Sequence, residues 1–278
     1  WAHHDALRAR FTRAADGTWR QEYAAADTEV PELLRVHDLS GPDARAAERA
    51  EARLTHEAHT GFRLDTGPLI AARLFTGAGR TPRLLLTAHH LIVDGVSWRV
   101  LLEDLETAYR QARTGEPVRL PQRTTSVQEW VRRLTGRTGE ADLAAQRAHW
   151  ADVSRHCAEP LPVDLDGGNT VADLRAVTVR LDRQRTDDLL RKVPGVYRTR
   201  VDDVLLTALG RVLADWTGRR TVAVGLEGHG REDQLFDDLD LSRTVGWFTS
   251  LFPVALDLPQ GDWGTALKAV KEQLRAVP

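Results

Sequence analysis

Short apolar runs alternate with helix-patterned segments along almost the whole chain, and this alternation limits the fold more than any other feature. Strands are predicted at residues 70–76, 83–88 and 221–226, where apolar runs are bounded by polar or turn residues. Amphipathic helices are predicted at 97–114 and 201–216, where apolar residues recur at helical spacing. Strands that alternate with helices indicate an α/β fold, with helices packed against sheets.

The remaining segments extend this pattern. The further predictions are a hairpin at 10–24 around Asp16-Gly17, helices at 42–60, 126–134, 141–150, 184–193 and 266–274, and strands at 176–181 and 245–256. Residues 161–173 are rich in Gly, Asp, Asn and Pro, which is typical of a linker. We therefore predict two lobes, an N-terminal lobe at 1–165 and a partial C-terminal lobe at 172–278.

Composition excludes several classes of partner. The net charge is −2 and the pI about 6.6, so no nucleic-acid or acidic-lipid partner is expected. No apolar run approaches the roughly 18–20 residues of a membrane span. The single cysteine, Cys157, cannot form an intrachain disulfide and is compatible with a reducing cytoplasm, where we expect the protein to act.

The ends of the sequence indicate a piece of a longer polypeptide. The chain begins at Trp1, contains no methionine and stops in or just after a predicted helix. We therefore expect further sequence on both sides, and a second lobe that is incomplete.

The segment HHLIVDGVSW at residues 89–98 carries the clearest chemical signal. Its histidine pair follows a predicted strand and precedes a predicted helix, so rigid elements hold an imidazole that can face a cleft, as a general base requires. Asp94-Gly95 predicts a turn, where glycine can take a positive φ at no steric cost. The predicted core-facing residues of the following helix are Trp98, Leu101, Leu102, Leu105 and Tyr109.

Structural roles compete with catalytic ones at each of these positions. His89 is the better structural candidate, because neighbouring residues on an extended segment point in opposite directions. Asp94 would hold the turn and the imidazole through charge-assisted hydrogen bonds, for example to an arginine. Ser97 would be a helix N-cap and Trp98 a core residue.

No metal site is predicted. His56 and His59 lie at i and i+3 on a polar predicted helix with no third ligand nearby, so a solvated helix face is the better interpretation. Cys157 lies beside His156 but has no evident orienting group, so we interpret it as a small packed residue.

Six motifs in order resemble the condensation superfamily of nonribosomal peptide synthetases, and in particular its epimerization branch. The segment at 89–98 is similar to the HHxxxDG signature, and its continuation through Leu105 is similar to epimerization domains. The other motifs are HHDALR at 3–8, TTSVQEW at 124–130, YRT at 197–199 with DVLL at 203–206, EGHGRE at 227–232 and TVGWFTSLFPV at 244–254.

The resemblance implies a two-lobed fold like that of chloramphenicol acetyltransferase. It also implies epimerization of an aminoacyl or peptidyl thioester on the 4′-phosphopantetheine of a carrier protein, with no cofactor bound directly. The implied partner is a peptidyl carrier domain upstream in the same polypeptide, and a downstream condensation domain is compatible with the resemblance. The implied catalytic residues are His90 and Glu227, and the implied supporting residues are His89, Asp94, Gly95, Ser97, Trp98, Asp104 and Arg231.

The chemistry also favours two groups. Inverting an α-carbon removes a proton from one face and returns one to the other, and a single base on one face tends to restore the same isomer. His90 and Glu227 are one candidate from each predicted lobe. Two alternatives remain: a condensation domain that forms amides, and a non-catalytic module that docks carrier proteins. Glu227 favours epimerization over condensation, and an intact His90-Asp94-Gly95 segment argues against a docking module.

Overall fold

A computed structural model describes residues 1–41, 43–137, 141–165, 167–168 and 170–278. Pro42 of the predicted first helix, and Asp166 and Asn169 of the predicted linker, lie outside the described residues. The strands are β1 Ala9–Arg13, β2 Trp19–Tyr23, β3 Leu34–Asp38, β4 Ile70–Thr76, β5 Arg83–Ala88, β6 Thr221–Gly228 and β7 Ser250–Asp257. The α-helices are α1 Ala44–Thr60, α2 Gly95–Arg113, α3 Val127–Gly136, α4 Ala141–Cys157, α5 Arg183–Asp187, α6 Val193–Tyr197, α7 Val201–Thr217 and α8 Trp263–Arg275.

Contacts group the chain into two compact units. The first contains residues 1–137 and 229–250, and the second contains 138–228 and 251–278. These ranges differ from the predicted lobes at 1–165 and 172–278 in two places. Helix α4 packs against β6 and so joins the second unit, although it precedes the predicted linker. Residues 229–250 return to the first unit, because their backbone and side chains bond to α2 and to residues near α3.

The first unit contains the predicted hairpin and a three-stranded sheet. Strands β1 and β2 pair antiparallel, and Gly17 takes a φ of 85° in the turn between them. Strand β4 lies between β3, which is parallel to it, and β5, which is antiparallel. Helix α1 connects the parallel pair β3 and β4 and packs against β4 and β5. The main core of this unit includes Leu7, Leu69, Ile92, Val100 and Val245.

The second unit is built around β6, β7, α7 and α8. Val222 on β6, Leu256 on β7 and Val270 on α8 meet in its core. At Gly210 on α7 a Cβ would lie 3.1 Å from a methyl group of Leu258, so glycine allows the helix to approach this core closely.

The sequence predictions fail at two segments for the same reason, which is that strand formation depends on distant partners. No strand forms at 176–181: Val177 and Val179 are 92% and 84% exposed, and this segment has no partner strand in the described part of the chain. Strand β3 has no prediction at all. Its partner β4 lies beyond α1, so local pattern gives no sign of the pairing.

Helix α2 buries only part of the predicted face: Trp98 and Leu101 pack against the core of the first unit. Ser97, Val100 and Asp104 are its buried residues, whereas Leu102, Leu105 and Tyr109 are exposed. Two of the three buried side chains are polar, and both have hydrogen-bond partners in the first unit. Apolar periodicity therefore predicts this face only in part, because two of the three buried positions carry polar side chains that are hydrogen-bonded.

None of the helices that the structure describes is both long enough and apolar enough to span a membrane.

Candidate active site

The segment that carries His90 is anchored on both sides. The backbone N–H of His89 donates to Leu69 O at 2.8 Å, and residues His90–Ile92 form one 3₁₀ turn. Ile92 and Val93 are buried in the core of the first unit, whereas His90 is exposed. The imidazole of His89 turns back, and its Nδ1 accepts from Leu91 N at 3.2 Å. The two neighbouring histidines thus differ in environment: His89 bonds to its own turn, and His90 faces outward.

Asp94 is the N-cap of α2. Its Oδ1 accepts a hydrogen bond from Ser97 N at 2.7 Å, which satisfies one of the free N–H groups of the first helical turn. This arrangement corrects two predictions. Ser97 is not the cap: it lies in the first turn, fully buried. Gly95 does not have a positive φ, because the capping carboxylate starts the helix at that residue and no turn intervenes.

Arg231 pairs with Asp94 in a buried network. Its Nη2 lies 3.1 and 3.2 Å from the two carboxylate oxygens, and the side chains of Arg231 and Asp94 are 8% and 2% exposed. Its Nη1 donates to Leu241 O and Thr244 O, and its guanidinium lies over the Phe248 ring. The network joins α2 to residues 229–250, which lie far along the sequence.

The pKa of Asp94 lies below its ordinary value. Burial by itself would raise that pKa, but hydrogen bonds from Ser97 N, Ser97 Oγ and Phe248 N, together with the charge of Arg231, outweigh burial. Asp94 is therefore ionised at neutral pH, and both of its oxygens are occupied in positioning the segment. Such a carboxylate is a structural anchor and not a proton donor.

The same network fixes the backbone around Trp247. Ser97 Oγ accepts from Gly246 N at 3.0 Å and lies 2.8 Å from Gly246 O, and Phe248 N donates to Asp94 Oδ2 at 3.1 Å. These bonds explain why β7 begins at Ser250 and not at 245 as predicted, since the backbone of 246–248 bonds to side chains of the α2 N-terminus. Trp247 lies between these two fixed residues. The centroid of its indole ring lies 4.9 Å from the centroid of the His90 imidazole.

A second buried ion pair lies further along α2. Asp104 bonds to His4 Nε2 at 2.8 Å through one oxygen and to Arg243 through the other. Burial lowers the pKa of His4, and the hydrogen bond to Asp104 opposes only part of that effect, so His4 is neutral at pH 7. Sequence patterns could not predict these partners, which lie 100 and 139 positions from Asp104.

Metal-ligating atoms of His3, His4 and Asp104 lie within 4.8 Å of one another. Asp104 hydrogen-bonds to His4 within this group and pairs with Arg243 outside it. A cavity of about 530 Å³ lies beside it, lined by residues 3–6, Tyr23, 122–128 and 243–245. Its lining includes hydroxyl side chains and the ion pair of Asp5 with Arg123.

Glu227 belongs to the second unit. It is the penultimate residue of β6 and is exposed, whereas the predicted strand ends one residue before it, at 226. Trp98 packs against the core of the first unit. Gly230 has a φ of 64°, and a Cβ there would lie 1.7 Å from Phe248 O, so this position requires glycine.

The profile of the condensation domain matches the chain over residues 1–278. The chain belongs to the condensation-domain family. This condensation-family chain is 46% identical over 281 residues to a component of the linear gramicidin synthase of Brevibacillus parabrevis, and the match covers 100% of this chain and 5% of that protein. It is 36% identical over 279 residues to tyrocidine synthase 1 of the same organism, of which it covers 25%. The chain thus spans a small part of the length of these relatives.

Solved structures show the condensation-domain fold with its mixed α and β content. The epimerization domain from the third module of tyrocidine synthetase B is similar at a TM-score of 0.87, with 34% identity over 99% of this chain and 61% of that one. The first condensation domain of the calcium-dependent antibiotic synthetase is similar at 0.74, with 25% identity over 99% and 63%. The condensation-family fold is therefore as predicted.

We expect Gly95→Ala to leave folding of the condensation-family chain intact. A Cβ at Gly95 meets nothing within 4 Å among the described residues, and alanine favours the first helical turn. The free energy of unfolding should stay constant or rise by about 0.5–1 kcal/mol, as measured by chemical denaturation. A clear loss of stability would show that this position needs glycine for its backbone.

Proposed function

We propose that the chain epimerizes the α-carbon of an aminoacyl or peptidyl thioester held on the 4′-phosphopantetheine arm of a carrier protein. The observation that carries the proposal is the higher similarity to an epimerization domain, at a TM-score of 0.87, than to a condensation domain, at 0.74. The exposed imidazole of His90, on a segment anchored by the buried Asp94–Arg231 pair, supports it as a site for proton transfer.

His90 and Glu227 are the two proposed proton-transfer groups. One removes the α-proton and leaves its electron pair delocalised into the thioester carbonyl as an enolate. The other returns a proton to the opposite face, which inverts the centre with no net change in bonding. The enolate oxygen requires hydrogen-bond donors, which supply a large share of the stabilisation in such reactions.

The proposed reaction assigns no cofactor to the chain itself, since the phosphopantetheine belongs to the carrier. The proposed partner is a peptidyl carrier domain upstream in the same polypeptide, with a condensation domain as a downstream neighbour. The cytoplasmic location stays a prediction.

A condensation reaction is the second candidate, because a condensation domain shares the fold and 25% of aligned residues. In that reaction His90 would assist attack of an amine on a thioester, and Glu227 would have no proton-transfer role. A module that only docks carrier proteins would need neither residue.

The experiment presents the full-length protein with an L-aminoacyl thioester on a phosphopantetheinylated carrier. After the thioester is hydrolysed, chiral chromatography measures the D-isomer. We expect a mixture of L and D. Amide formation with a second aminoacyl carrier, without any D-isomer, would support condensation instead. Carrier binding with neither product would support docking.

A further inference from the structure

We propose that Trp247 is the positioning residue that orients the imidazole of His90. The two ring centroids lie 4.9 Å apart with the ring planes at 53°. The His90 side chain has no hydrogen-bond partner among the residues that the structure describes, so the indole is the contact that limits its rotation.

A catalytic histidine usually owes its orientation to a third group that hydrogen-bonds to the ring nitrogen away from the substrate. His89 shows what such a bond looks like in this segment, since its Nδ1 accepts from Leu91 N. His90 lacks an equivalent acceptor or donor within the described residues. Packing against a flat aromatic ring can replace it, because aromatic pairs prefer a limited set of tilted and offset arrangements.

Trp247 is suited to this role because its own backbone is immobilised. Gly246 bonds to Ser97, and Phe248 bonds to Asp94, so both peptide neighbours of Trp247 are fixed to the start of α2. A Cβ on Gly246 would lie 2.4 Å from a methyl group of Val127, which shows how closely this backbone packs against α3. The start of α2 follows directly after the 3₁₀ turn that carries His90, so one anchor positions both rings.

The exposure of Trp247 separates this role from core packing. Val245 and Phe248 on either side are 4% and 7% exposed, whereas Trp247 is 46% exposed. A large aromatic residue that stays half in solvent contributes little to the core, and its indole contacts the imidazole of His90 instead. The buried network of Asp94, Ser97 and Arg231 thus fixes the backbone on both sides of Trp247, whose indole contacts the imidazole of His90.

The first test measures orientation without activity and so does not depend on the proposed function. In the 278-residue chain, the ring current of Trp247 should shift the ring-proton NMR signals of His90, identified by their loss in His90→Gln. Trp247→Leu should return these signals to the positions of a free exposed histidine. Trp247→Phe should retain part of the shift. The matched control Trp19→Leu, on β2 in the same unit and 59% exposed, should leave them unchanged.

The second test rests on the proposed function and uses the full-length protein in D₂O with a carrier-bound L-aminoacyl thioester. Trp247→Leu should lower the rate of α-deuterium uptake at saturation by about 10- to 100-fold, as expected when a reacting group is misplaced. The KM for the carrier should change little, and Trp247→Phe should recover most of the rate. Trp19→Leu should match wild type.

The outcomes separate the two proposals. Wild-type protein without deuterium uptake contradicts the epimerase function, while the NMR result still decides whether the rings are in contact. A Trp247→Leu protein that loses the shift of the His90 signals but keeps the wild-type uptake rate overturns the positioning role. A Trp247→Leu protein whose His90 ring-proton signals do not move from the wild-type positions also overturns the positioning role.

Discussion

His90→Ala should lower α-proton exchange on a carrier-bound aminoacyl thioester by about 10²–10⁴-fold, the usual contribution of a general acid or base. The reason is that the substitution removes one of the two proposed proton-transfer groups. The measurement is uptake of deuterium at the α-carbon from D₂O by mass spectrometry.

The same substitution should leave folding almost unchanged. His90 is exposed, and its ring makes no hydrogen bond within the described residues, so little stabilisation depends on it. His56→Ala, on α1 and away from the 89–98 segment in sequence, is the matched control and should retain the full exchange rate. Retained exchange in His90→Ala would assign the proton transfer to another residue.

Asp94→Asn should lower the free energy of unfolding by about 3–5 kcal/mol, because it leaves the buried guanidinium of Arg231 without its counter-charge. Asparagine can still cap α2 through its amide oxygen, so the loss reports the ion pair and not the cap. The measurement is urea denaturation at pH 7.

A second N-cap provides the matched control. Asp262 caps α8 through Thr265 N at 2.7 Å, the same distance as from Asp94 Oδ1 to Ser97 N, but it is exposed and has no buried arginine partner among the described residues. Asp262→Asn should therefore stay close to wild type. Equal effects of the two substitutions would show that the Asp94–Arg231 pair adds nothing beyond capping.

The pH dependence of stability follows from the lowered pKa of Asp94. Its folded pKa lies below the unfolded value of about 3.9, so its stabilisation is complete above that pH and is lost as the pH falls through the folded pKa. The lowered pKa of His4 adds a separate loss that begins near the unfolded value of about 6.5. Asp94→Asn should make the loss at the acid end, below about pH 4, smaller than in wild type, and leave the loss near pH 6 unchanged. An Asp94→Asn protein that loses as much stability as wild type when the pH falls below about 4 would contradict the role given to Asp94.

Local signals in the sequence were sufficient for the main helices and for β4 and β5. Apolar periodicity and polar capping residues are properties of short segments, and β4 and β5 have the predicted bounds. Strand β3 and the coil at 176–181 depend on whether a distant segment pairs with them. No window of the sequence contains that information.

The candidate site divides in the same way. His90 and Asp94 stand out because their chemistry and their spacing fall within one short segment. The partners that hold them do not: Arg231 follows Asp94 by 137 positions, and Trp247 follows His90 by more. The sequence predicts that Asp94 bonds to an arginine, but it contains many arginines. Only the fold shows that the partner is Arg231. The contact between Trp247 and His90 had no signal beyond the motif in which Trp247 lies.

The most direct test of two-base epimerization compares the L- and D-thioesters as separate substrates in D₂O. Initial deuterium uptake is measured for wild type, His90→Ala and Glu227→Ala in the full-length protein, with Glu232→Ala as the control for loss of a solvent-accessible carboxylate. Two groups that serve opposite faces predict that each variant loses uptake unequally from the two isomers, and that the control loses none. A Glu227→Ala protein with undiminished conversion of both isomers would contradict the two-base mechanism and make Glu227 an ordinary surface carboxylate.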